Sequence, residues 1–278
     1  MAPEQLPMID LNCDLGEDPS ASGVGLDAEL CKLVTSINVG CGGHAGDAAS
    51  MARLARLSRE RGLMLGAHPS YPDQAGFGRT ELLIDADTLK KSLQEQLLAL
   101  GEIAAREGAV VSHIKAHGAL YHATMRDAAW NHDPARASAP GTSGALLHAI
   151  KSVAGSAGFS PSPRIVVQAG PLGDALAAHC GAMGIKVWRE AFADRVYEPT
   201  GALRARSLPG SLISDPAAAA SQAVEIAQRA RVITSSGTPL DMTADTICVH
   251  SDSPGALAMA RAVRAALIDA RAMRGIAP

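Results

Sequence analysis

What this chain lacks narrows its function first. Its 278 residues include only five cysteines, at positions 13, 31, 41, 180 and 248. They are scattered, with no Cys-x-x-Cys, which argues against a cysteine zinc site and fits a reducing compartment. Aromatic residues make up 3% of the chain, so the core must be built from Ala, Leu, Val and Ile. No segment approaches the ~20 apolar residues of a membrane span. The net charge is −3 and no basic block occurs, which argues against a nucleic-acid surface. The opening Met-Ala-Pro-Glu-Gln-Leu-Pro has neither a positive region nor an apolar stretch, so a cytoplasmic location is expected. The Walker A pattern is absent, and with it a P-loop ATP site; so is a Gly-x-Ser-x-Gly elbow. Gly40-x-Gly42-x-x-Ala45 superficially fits a dinucleotide fingerprint, but the next strand ends Ala67-His68-Pro69 rather than on an acid.

What is present is a rhythm. β-like runs fall at 8–14, 36–41, 63–69, 110–117, 164–170, 185–193 and 246–251. Helix-like stretches at 26–35, 47–61, 85–107, 143–154, 171–183, 215–230 and 254–273 separate most of them. Such alternation predicts a parallel sheet. Residues 127–143 read as a polar loop after the fourth strand, and 194–214 as a long excursion after the sixth. The irregular stretch 231–245 suits a short hairpin. With no linker and no internal repeat, residues 1–278 read as one barrel-like β/α domain, a doubly wound open sheet being the other arrangement. Either way ligands gather at the carboxyl ends of the strands.

Those ends carry the chemistry. In Val110-Val-Ser-His113-Ile-Lys115-Ala-His117-Gly118, strand alternation puts His113, Lys115 and His117 on one face. A packed core has no use for such a row, because buried charge is costly unless paired. The row suits an anionic ligand or a lysine of lowered pKa; a solvated edge strand is the plainer reading. On a strand, His113 and His117 lie roughly 13 Å apart and cannot share an ion. A helix would bring them together, but Val110-Val111 and Gly118 favour the strand. On the first strand, Asp10, Asn12 and Asp14 point one way, with Glu17 following. His44 and Asp47 follow the second, and His68 ends the third, with Asp73 and Arg79 beyond. Glu190, Asp194 and Arg195 close the sixth, His250 and Asp252 the seventh. Asp47 also suits a helix N-cap, and His68 a turn. His122, His132, His148 and His179 lie away from strand ends and count as surface or packing residues. Ionisable groups at six of seven strand ends, above mostly apolar strand bodies, predict an active site.

Together these motifs resemble the LamB/YcsF family. The resemblance rests on Asp10-Leu-Asn12-Cys-Asp14-Leu-Gly-Glu17, Cys41-Gly-Gly-His44-Ala-Gly-Asp47 and Gly66-Ala-His68-Pro-Ser70. It continues through Phe77-Gly-Arg79, His113 to Tyr121, Glu190 to Tyr197, Arg206-Ser207 and Cys248-Val-His250-Ser-Asp252. It implies a seven-stranded β/α barrel like that of the polysaccharide deacetylases and glycoside hydrolases. It also implies ATP-dependent opening of 5-oxo-L-proline to L-glutamate, shared with 5-oxoprolinase subunits B and C. In that picture ATP, as co-substrate, activates the lactam on the partners, and this chain completes hydrolysis of a phosphorylated intermediate. The family usually has phenylalanine where Gly43 stands and proline where Ala116 stands, so both read as opening space at the mouth.

The residues suit that chemistry. A carboxylate (Asp14, Glu17 or Asp47) or a histidine (His44, His68 or His117) can deprotonate water, with Asp14 the favoured base. Lys115, the favoured anion clamp, together with Arg79 and Arg195 can hold a carboxylate or phosphate. Asn12, Glu190, Asp194, His250 and Asp252 complete the expected substrate contacts. Asp14→Asn and Lys115→Met are each expected to abolish turnover while folding persists. One rival is a metal-dependent amide or ester hydrolase, with Asp14, His44 and His68 as ligands of a divalent ion, as in the deacetylase barrels. Another is a non-catalytic binding or regulatory subunit.

Overall fold

The computed structural model describes residues 8–131, 141–253 and 255–275. Seven parallel strands close into a barrel: β1 (Asp10–Leu15), β2 (Ser36–Gly40), β3 (Met64–His68), β4 (Val111–Lys115), β5 (Phe159–Gln168), β6 (Val187–Phe192) and β9 (Thr246–Val249). β9 completes the ring by pairing with both β1 and β6. The stretch expected as a hairpin forms one, from β7 (Arg231–Ile233) and β8 (Pro239–Asp241). Among the described residues no helix is long and apolar enough to cross a membrane.

Alternation sorts each strand. Leu11, Cys13 and Leu15 of β1 are fully buried in the apolar core. Asp10, Asn12 and Asp14 turn to the barrel interior and bond across it. Asp10 accepts from the hydroxyls of Thr35, Ser36 and Thr246, each at 2.6 Å. One layer up, Asn12 donates to Glu190 and Thr246, and Asn38 donates to Asn12 and Asp14. His113 joins this layer through Asn38 at 2.9 Å. It fits only because position 66 is glycine: a Cβ there would meet its Nε2 at 2.2 Å. Burial pushes the His113 pKa down to about 3, so the ring is neutral and belongs to the scaffold. The row of three therefore divides, with His113 in the floor, Lys115 above it and His117 beyond the strand.

Helices follow the expected order with two differences. α1 spans Ala21–Leu30 rather than 26–35, because the Ser20 side chain caps the Gly23 N–H and starts the helix earlier. α4 spans Gly118–Asn131 and takes in the beginning of the expected polar loop. Its polar residues hide a helical stripe: Leu120, Tyr121, Thr124, Met125 and Ala128 are all buried. Positions 132–140 of that loop, His132 among them, lie outside the described residues. α2 (Ala48–Arg61) starts from a capping box in which Asp47 and Ser50 bond reciprocally. It ends on left-handed Gly62. α3 (Ala86–Arg106), α5 (Thr142–Val153), α6 (Pro171–Ala182), α7 (Pro216–Arg229) and α8 (Ala256–Asp269) fill the remaining expected positions.

Candidate active site

The loop after β2 turns back on itself to aim His44 inward. Gly42 N–H donates to Ala45 O at 2.7 Å. Gly46 (φ +90°) lies so close to Gly40 that a Cβ would meet its carbonyl oxygen at 2.1 Å. His68 is the last residue of β3, and His117 stands two past β4, its N–H held by Pro69 O at 2.8 Å. With Glu17 these histidines form a cluster in which one ligand atom from each lies within 4.8 Å of the others.

The proton positions in this cluster are forced by the scaffold. His68 Nδ1 is 2.8 Å from Lys115 O, and His117 Nε2 is 3.0 Å from Phe77 O. A carbonyl only accepts, so each of these nitrogens carries its proton. Phe77 takes a left-handed φ of +54° as it presents that carbonyl, a conformation costly for a side chain of its size. With both rings neutral, His68 Nε2 and His117 Nδ1 are left bare, facing each other at 3.0 Å. Burial lowers the His68 pKa to about 3, so this ring is a poor proton acceptor. His44 Nε2 lies 2.8 Å from Glu17 Oε1, and His44 Nδ1 is buried with no hydrogen-bond partner among the described residues. Burial alone would raise the Glu17 pKa, but the neighbouring His117 and His44 rings hold it well below the usual carboxylate range.

Bare lone pairs converging on a carboxylate repel unless a cation lies among them. Four of the six distances between these groups fit one. His44–Glu17 is 2.8 Å, His68–His117 3.0 Å, His117–Glu17 3.3 Å and His68–Glu17 3.7 Å. A tetrahedral zinc with bonds of about 2.0–2.1 Å has ligand–ligand edges of roughly 3.3 Å. The carbonyls on His68 and His117 are also the outer partners that metal-ligating histidines use.

Beside the cluster sits a buried ion network. Lys115 Nζ is 3.0 and 3.1 Å from the two Asp14 oxygens and 2.8 Å from Glu190 Oε1. Burial would raise Asp14; the neighbouring His68 and the Lys115 ammonium outweigh it and hold the group well below its ordinary value. Burial keeps Glu190 above its own. The Lys115 charge is thus neutralised within the protein. Asp14 Oδ2 comes within 3.4 Å of His68 Nε2 while it also accepts from Lys115, so Asp14 borders the cluster that Glu17 forms with the three histidines.

On the β6–β9 side, His250 Nδ1 is 2.9 Å from both Asp194 oxygens, and its main-chain N–H reaches the same carboxylate at 3.1 Å. The ring stacks on Phe192, with centroids 5.5 Å apart. An acceptor on Nδ1 puts the proton there and leaves Nε2 as the working nitrogen. At the rim, Arg79 and Arg206 both bond Asp252 Oδ2, at 2.5 and 2.8 Å.

These groups surround a cavity of about 350 Å³, within the range that small ligands occupy. Asp14, Glu17, His68, Lys115, His117, Arg79, Arg195, His250 and Asp252 line it. Asn12 and Glu190 lie beneath the floor and brace it, while Asp194 acts through His250. Asp47 is not brought to the cluster; it caps α2. Asp47→Ala is expected to cost about 1 kcal/mol of stability and to leave catalysis unchanged, which thermal unfolding and turnover measurements would check. Gly43 does not open the mouth either. It is buried, and a Cβ there would meet Gln96 Oε1 at 2.4 Å and Ser70 Oγ at 2.5 Å. Ala116 does line the cavity.

Sequence reasoning missed His122, Tyr121 and Arg206, which also line it. The first two ride on the opening turns of α4, immediately after a strand end, a placement visible only once the helix is recognised. Arg206 had a signal in the arginines of the 194–214 excursion.

The LamB/YcsF family model matches residues 9–275. The chain is 43% identical over 256 residues to the 5-oxoprolinase A subunit of Chloroflexus aggregans, covering 92% of this chain and 93% of that one. It is 41% identical to the 5-oxoprolinase A subunit of Deinococcus radiodurans, covering 94% and 93%. Its fold matches the crystal structure of the lactam utilization protein from Thermus thermophilus with a TM-score of 0.82 at 34% identity, covering 97% of this chain and all of that one.

Proposed function

Because the chain belongs to the LamB/YcsF family, we propose that it is the A subunit of an ATP-dependent 5-oxoprolinase. It opens 5-oxo-L-proline to L-glutamate in concert with subunits B and C. The observation that carries this reading is the near-full-length match at about 40% identity to relatives of that name. The site supplies the chemistry.

A lactam resists water because attack destroys amide resonance. ATP-dependent phosphorylation of its oxygen on the partner subunits makes the ring carbon attackable, which accords with a chain lacking a Walker A motif. Hydrolysis then needs three things: a deprotonated water that adds to the ring carbon, a second water that later splits the resulting acyl phosphate into glutamate and phosphate, and a proton for the ring nitrogen as its C–N bond breaks. The Glu17–His44–His68–His117 wall serves the first. Those four residues would hold a divalent ion, which supplies a bound water of lowered pKa. His250 serves the third. It lines the cavity, and Asp194 on Nδ1 fixes its tautomer, leaves Nε2 to work and steadies the protonated ring, as a carboxylate does in catalytic dyads. The deacetylase-type alternative uses the same wall, so metal dependence and ATP dependence are compatible in one enzyme.

The deciding experiment mixes the purified chain with B and C subunits, ATP and 5-oxoproline, and measures glutamate. No glutamate, from partners shown competent with another A subunit, rejects the proposal. In the working complex His250→Gln is expected to lower kcat by about 10²–10⁴-fold, the usual worth of a general acid. Asp194→Asn should shift the pH profile of the surviving activity, since it changes the tautomer rather than removing the ring. Undiminished kcat in His250→Gln would remove that residue from the mechanism.

A further inference from the structure

We propose that Arg195, with Arg206 beside it, forms the subsite that holds the carboxylate of the lactam substrate; this rests on the 5-oxoprolinase reading above. Arg195 is 5% exposed and lines the cavity. Among the described residues its guanidinium bonds main-chain carbonyls alone, Nε to Ser211 O at 3.4 Å and Nη2 to Arg204 O at 2.8 Å. Arginine has five N–H donors; these two bonds leave three of them free. Among the described residues no carboxylate comes within 4.0 Å of this group. Asp194 and Asp252 act on it from farther away, and the Arg206 charge lies near.

A buried cation without a counter-ion is costly. The other cations of the site each contact a carboxylate. Lys115 is matched by Asp14 and Glu190, while Arg79 and Arg206 share Asp252. Arg195 is the charge that completes its pairing only with a ligand. Its planar fork suits a carboxylate in bidentate contact, which a lysine does not reproduce.

The order of groups in the substrate agrees. In 5-oxoproline the acyl carbon, the ring nitrogen and the carboxylate-bearing carbon are consecutive. With the acyl carbon at the histidine cluster and the nitrogen at His250, the carboxylate falls next. Arg195 directly follows Asp194, the residue that holds His250. A phosphate shares the same anionic chemistry, so the test must separate the two.

The complete complex with ATP is used, comparing the parent with Arg195→Gln and Arg195→Lys. Both variants are expected to raise the KM for 5-oxoproline, with kcat/KM falling roughly 10- to 100-fold. The KM for ATP and the Tm should stay near the parent values, and lysine should recover part of the loss. Inhibition by products separates the anions: L-glutamate should lose potency against Arg195→Gln, whereas inorganic phosphate keeps its own. The reverse pattern overturns the carboxylate assignment in favour of a phosphate site. Unchanged kcat/KM in both variants overturns the subsite. A fall in Tm and kcat at constant KM marks Arg195 as a brace for the 204–211 segment and overturns it equally. A parent complex that makes no glutamate sinks the functional reading, and the subsite with it, a failure the parent alone reveals.

Discussion

Protein purified without chelators is expected to carry one divalent ion per chain, and replacing Glu17, His68 or His117 should remove both the ion and the turnover. The expectation follows from where protons are not. Lys115 O and Phe77 O fix the protons of His68 and His117 on their far nitrogens, so two lone pairs face each other at 3.0 Å beside an acceptor-only carboxylate. Either one imidazolium proton or a metal ion resolves that repulsion. Burial holds the His68 ring to a pKa of about 3 and disfavours the proton on that ring. Four of the six donor–donor distances, 2.8–3.7 Å, also lie around the edge length of a tetrahedral site. Elemental analysis gives the stoichiometry, and Co(II) loaded into the stripped protein should show the intense visible bands of tetrahedral coordination. Glu17→Gln, which keeps the shape but weakens the ligand, should bind the ion less tightly without unfolding. A fully active protein with far less than one ion per chain would leave the cluster as an imidazolium–carboxylate site instead.

Lys115→Met is expected to lose about 3–5 kcal/mol of stability, the usual cost of breaking a buried ion pair from one side. The ammonium touches both Asp14 oxygens and Glu190, and all three residues are buried. Its removal leaves two carboxylates facing one another in the barrel. Glu190, whose pKa burial already raises, takes up a proton and recovers some of the loss. Against the 5–15 kcal/mol typical of a domain, the remainder is large enough to empty the folded state at moderate temperature. This replaces the sequence-based expectation that the variant would stay folded. Urea unfolding of Lys115→Met and of Lys115→Met/Glu190→Gln measures it. The double variant should be the more stable of the two, because it removes an unpaired charge along with its partner. Equal stability of Lys115→Met and the parent would show that the network carries no weight.

Much of the fold and the placement of the site is legible in the chain alone. The alternation of strands and helices gives the β/α order, and the concentration of ionisable residues at strand ends gives the carboxyl-end site. Both are local: a strand's period and its bounding glycines lie within a few residues. α4 is harder to read because its buried stripe runs through polar neighbours.

Which ionisable residues work together is not local. Asp14, Glu17 and Asp47 look equivalent along the chain, each an acid at or just past a strand end. Folding gives them separate partners 101, 27 and 3 residues away: Lys115, His44 and Ser50. The same separation splits the row of His113, Lys115 and His117 into a neutral floor residue, a neutralised cation and a member of the histidine cluster. Sequence by itself determined the kinds of group available and the end of the barrel where they gather. Only the tertiary structure decided their charges and pairings, because a pKa and a bare lone pair depend on which distant atoms share a few ångströms of dry space.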